Sequence, residues 1–132
     1  MVRSVSTRSD EKLAADWHAL MTRYHRTSCA LDRELQSQHD LSVSEFEILQ
    51  QLSAPGLGGA MKLTELGEVV HLSQSALSRL ISRLHDAGLV ERCACSEDRR
   101  SIIVTLTRAG AERYEQARPT QRAILREATS AY

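Results

Sequence analysis

Apolar residues recur at helical spacing along the first third of the chain. Leu13, Trp17, Leu20, Met21, Tyr24, Leu31 and Leu35 follow one another mostly at steps of three, four or seven, with polar residues between. That period predicts an amphipathic helix over 11–38. Residues 1 to about 10 lack apolar periodicity, which predicts a frayed tail. Ser42-Val43-Ser44-Glu45 reads as a capping box opening a short helix, with Phe46, Leu49 and Leu52 inward. Ala54-Pro55-Gly56-Leu57-Gly58-Gly59 ends that helix. Met61-Lys62-Leu63 reads as a short extended piece. Thr64 then caps a two-turn helix carrying Leu66, Val69 and Val70, and Ser73 caps another with Leu77, Leu80, Ile81 and Leu84 inward. Gly88 ends it as a residue free to take positive φ.

Beyond Gly88 the period changes to two. Leu89-Val90-Glu91-Arg92-Cys93 and Ile102-Ile103-Val104-Thr105-Leu106 read as paired strands around a polar tip, Ser96-Glu97-Asp98-Arg99-Arg100. Thr107 caps a last helix, over 108–132, through Ala111, Tyr114, Ile124 and Leu125, with a bend expected at Pro119. The 132 residues suit one domain with a modest core. The expected fold is α+β and mostly α. Residues 42–107 form a winged helix-turn-helix, flanked by long N- and C-terminal dimerisation helices over 11–38 and 108–132. The first helix is longer than so small a core covers, so its uncovered apolar stripe calls for a second copy of the chain.

Charge changes the picture by its placement. Lys and Arg number 17, Asp and Glu also 17, so the net charge is zero and no global basicity argues for nucleic acid. The outward positions of the second helix of the pair are Gln74, Ser75, Ser78, Arg79, Ser82 and Arg83, none of them acidic. Such side chains suit base edges and phosphates in a major groove, and Ser73 leaves helix N–H groups facing an anion. Arg99 and Arg100 at the hairpin tip suit a narrow minor groove, with Asp98 bracing Arg100 by a charge-assisted hydrogen bond. Aromatic residues make up 4% of the chain, which argues against a stacking platform for single strands. No apolar run reaches the ~18 residues of a membrane span, and Met1 to Lys12 lacks the apolar core of a signal peptide, so a cytoplasmic protein with no membrane partner is expected.

The stretch Leu72-Ser73-Gln74-Ser75-Ala76-Leu77-Ser78-Arg79-Leu80, with Leu84 and Gly88-Leu89-Val90-Glu91-Arg92, resembles the recognition helix of the MarR family. Asp98-Arg99-Arg100 resembles that family's wing signature, and Leu106-Thr107-Arg108-Ala109-Gly110 its entry into the following helix. The resemblance covers roughly residues 13 to 130. It implies a homodimer built on the first and last helices, double-stranded DNA with a palindromic operator as partner, repression, and release by a small aromatic effector or by cysteine oxidation. Members often carry a further C-terminal helix, whereas this sequence stops at Tyr132, which bears on part of the dimer interface. Gly67 stands where the family usually has Ala. Glycine in a helix costs ~1 kcal/mol relative to alanine, so close packing against the recognition helix is the expected reason.

Remaining candidates are weaker. Cys93 and Cys95 would share one side of a strand, with Cα atoms about 6–7 Å apart, at the limit for a disulfide. Beside Arg92 they keep a redox-sensing regulator open as an alternative. Cys29 reads as a packed or half-buried thiol. Trp17, Met21, Tyr24 and His25, with His18, are candidates for a ligand crevice, and a dimer-facing stripe accounts for them equally well. His39-Asp40 with Cys29 is similar to part of the metal set of zinc-sensing members, but those also draw histidines from the last helix and this one has none. No metal or cofactor is expected, and the histidines read as surface residues. Gly56-Leu57-Gly58-Gly59 is too weak a motif for a nucleotide, and no nucleophile–base set appears, so catalysis is rejected. A winged helix that binds only proteins is the other alternative. It would need an apolar exposed face where this chain has Gln, Ser and Arg.

Overall fold

The computed structural model describes residues 7–56, 58–94 and 101–131. Helix α1 spans Thr7–His39, α2 Val43–Leu52, α3 Leu63–Val69, α4 Gln74–Asp86 and α5 Arg108–Ala131. Strands β1 (Ala60–Lys62), β2 (Val90–Ala94) and β3 (Ile102–Leu106) form one antiparallel sheet in the order β1-β3-β2. The α+β, mostly helical winged helix-turn-helix is therefore the observed fold.

The core follows from the apolar periods. Leu31 and Leu35 of α1, Phe46, Leu49 and Leu52 of α2, Leu66 of α3, and Leu77, Ile81 and Leu84 of α4 are all buried. Val90 and Val104 close the core from the sheet, and Tyr114 and Ala117 from α5. The Phe46 and Tyr114 rings meet at 5.4 Å between centroids. Ile48, which the periodicity left out, is fully buried, since α2 is covered on more than one side.

Capping decides where the elements begin. The box at α2 is complete: Glu45 N donates to Ser42 Oγ at 3.1 Å and Ser42 N donates to Glu45 Oε1 at 2.8 Å. Ser73 Oγ accepts from Ala76 N at 3.2 Å. Thr107 Oγ1 accepts from Gly110 N and donates to Gly88 O at 2.7 Å, fastening the start of α5 to the end of α4. Gly88 has φ 79°, as its place after α4 requires.

Several expectations need correction. Helix α1 begins at Thr7, inside the stretch expected to fray, because no breaker precedes Leu13 and Asp10 in the first turn suits the helix dipole. Thr64 does not cap α3. The helix starts at Leu63 with Lys62 at the cap position and no side-chain bond. Lys62 pairs with Ile103, so the chain passes from β1 straight into the helix and leaves no spare residue for a cap. Val69 is 44% exposed, because this short helix turns Leu66 and Gly67 inward instead. Cys29 is exposed, not packed. It lies two residues, about 200° around the helix, from buried Leu31. His39 is half-buried, not a surface residue, and its Nε2 lies 2.8 Å from Thr120 Oγ1.

Candidate nucleic-acid interface

Helix α4 buries one stripe, Leu77, Ile81 and Leu84, and turns the opposite side outward. Gln74, Ser75, Ser78 and Arg79 are exposed on its first two turns. Ser73, also exposed, holds the N-cap. The first turn carries no acidic residue, so no side chain there offsets the positive end of the helix dipole. The Gln74 amide lies over Gly67 of α3: a Cβ at Gly67 would stand 2.9 Å from Gln74 Nε2 and 3.2 Å from Leu77 Cδ2. The glycine thus lets α3 approach α4 closely, the reason expected for its departure from alanine.

The last turns of α4 are tied to their neighbours. Ser82 is half-buried, and its Oγ accepts from Arg92 NH1 of β2 at 3.5 Å. Arg83 Nε stands 3.8 Å from Glu45 Oε2, whose carboxylate is buried in α2. His85 Nε2 lies 3.7 Å from Glu91 Oε2. No sequence pattern pointed to the Glu45–Arg83 pairing, which joins residues far apart in the chain.

The wing strands pair from Val90↔Leu106 to Ala94↔Ile102. Asp98, Arg99, Arg100 and Cys95 lie outside the described residues. Cys93 is exposed on β2 opposite Ile103.

Residues 41–102 match the model of the MarR family. Over this stretch the chain is similar to the MarR family. The HTH-type transcriptional regulator PecS of Dickeya dadantii is 33% identical over 88 residues, which cover 64% of this chain and 53% of that protein. A Bacillus subtilis HTH-type transcriptional regulator, YfiV, is 34% identical over 68 residues, 52% of this chain and 41% of its own length. The chain thus spans about half the length of these curated relatives. Among solved structures it is similar to Sco3205, a MarR family transcriptional regulator from Streptomyces coelicolor in complex with DNA. The TM-score is 0.80 at 26% identity, over 96% of this chain and 77% of that one. The regulator BldR from Sulfolobus solfataricus gives 0.83 at 26%, over 96% and 87%.

The four crevice candidates are exposed on α1: Trp17 at 61%, Met21 at 45% and Tyr24 at 73%, with His25 beside them. Tyr24 lines an open hollow of about 450 Å3 with Ser28, Cys29, Asp32 and Arg33, and the other three do not. His25 Nε2 instead lies 3.7 Å from Cys29 Sγ. Cys29 stands ten residues from His39 along α1, about 15 Å. Among the described residues no three metal-ligating side chains lie together.

Proposed function

We propose that this chain is a transcriptional regulator that binds double-stranded DNA sequence-specifically, as a homodimer on a palindromic operator, and represses until a small aromatic effector releases it. One observation carries the reading: the exposed, acid-free first turns of α4, with Gln74, Ser75, Ser78 and Arg79 outward. A helix end of this shape and chemistry fits a major groove. Similarity to Sco3205, solved in complex with DNA, supports the partner. The exposed apolar side chains on α1, Leu13, Trp17, Leu20, Met21 and Tyr24, support the dimer. Two recognition helices would then meet half-sites about 34–36 Å apart. An effector that favours another spacing lowers DNA affinity by linkage. Among the described residues no helix is long and apolar enough to cross a membrane.

The test is selection of duplexes from a randomised pool by the purified chain, followed by titration of the enriched sequence. A palindrome bound far more tightly than its scramble is expected. Failure to enrich any sequence refutes the reading.

A further inference from the structure

The sequence placed Arg83 with the residues that touch DNA. We propose instead that Arg83 is a positioning residue, which with the buried Glu45 carboxylate sets the angle at which α4 presents Gln74, Ser75, Ser78 and Arg79. This rests on reading α4 as the helix that enters the groove.

Glu45 is 3% exposed, and a carboxylate so placed needs partners for both oxygens. Oε1 takes the Ser42 N–H at 2.8 Å. Oε2 faces the Arg83 guanidinium at 3.8 Å. One carboxylate therefore serves the start of α2 and lies at ion-pair distance from Arg83, whose side chain is 61% exposed. The start of α2 is itself fixed, because Val43 N donates to Asp32 Oδ1 of α1 at 3.0 Å. On the other flank of α4, Arg92 reaches Ser82. Contacts thus flank the helix on both sides near its C-terminus, while its N-terminal turns stay exposed. Arg83 lies nine residues beyond Gln74, about 13 Å along the axis, away from the turns that usually meet bases.

Glu45→Gln separates the two roles of the carboxylate. Glutamine still completes a capping box, but it removes the charge that faces Arg83. Arg83→Ala, Glu45→Gln and the double variant are titrated, over a range of salt, against the duplex enriched by the wild-type chain and its scramble. Each single change is expected to weaken the enriched duplex by about three- to tenfold, a coupling of the usual size for neighbouring side chains. Binding to the scramble and the salt slope should not change, and the double variant should lose no more than the weaker-binding single. If Arg83→Ala weakens both duplexes and lowers the salt slope by about 0.9, the increment of one phosphate, Arg83 is a phosphate clamp and the proposal falls. Additive losses, or an inert Glu45→Gln beside a damaged Arg83→Ala, also overturn it. Thermal melts of the same four proteins read the coupling without DNA. If the wild type enriches no duplex, the DNA reading fails while a non-additive melt cycle still shows the tie.

Discussion

Arg79 is the exposed cation in the N-terminal half of α4, which is proposed to read DNA. Arg79→Ala is expected to weaken the enriched duplex more than its scramble, by ~1–3 kcal/mol of discrimination, as removal of a bidentate base contact does. Equal losses in titrations on both duplexes would make it a phosphate clamp. Two glycines make a contrasting pair. A Cβ on Gly110 would collide with Leu89 O and stand 2.7 Å from Leu106 Cδ1, so backbone must move. Gly110→Ala should cost about 1–3 kcal/mol in denaturant melts. At Gly67 the nearest atom is the flexible Gln74 amide. Gly67→Ala should leave melting stability within about 1 kcal/mol, since helix propensity offsets the crowding, yet reduce discrimination between duplexes by displacing Gln74. At this scale the sequence showed which positions of α4 are polar, because period alone fixes the face. It did not show that Arg92 lies beside Ser82 or Glu45 beside Arg83, because those pairs meet only in the folded chain.

Between elements, the packing of α2 on α5 is polar as well as apolar. Arg122 NH1 donates to Gln50 Oε1 at 2.6 Å, and Gln50 Nε2 donates to Glu47 Oε2 at 3.3 Å. Burial pushes the Glu47 carboxyl above its ordinary value, and the Arg122 charge opposes part of that rise. A carboxyl raised in the folded state costs nothing while both states are protonated. The cost grows as pH climbs through the ordinary value and then the raised one, and stability falls accordingly. Glu47→Gln should therefore melt higher than the wild type at about pH 7, with the gap closing at about pH 4. Arg122→Gln removes the opposing charge and should steepen the wild type's loss between those pH values. Helix boundaries were legible where a cap sits in the sequence, as at Ser42, Ser73 and Thr107. They were missed at Thr7 and Leu63. The pairing of β1 with β3 also escaped the sequence, since Ala60 and Thr105 meet only through the fold.

The whole molecule leaves the apolar side of α1 uncovered, and only its C-terminal part, from Leu31 on, reaches the core. That surplus was legible from helix length and spacing alone. Leu20→Glu should give a monomer in sedimentation equilibrium, with a protomer that melts cooperatively, because Leu20 is 53% exposed within one chain. It should also bind a palindrome hardly better than a half-site, since both helices are then no longer held at one spacing. The uncovered face carries the only indole in the sequence, Trp17. Its fluorescence therefore reports on that face without any label. An indole in water emits at longer wavelength than one enclosed by apolar groups. Dilution that separates two copies should shift the emission to the red and make it easier to quench with iodide. Unfolding of a protomer should add little further shift, because this indole is already largely wet in the folded chain.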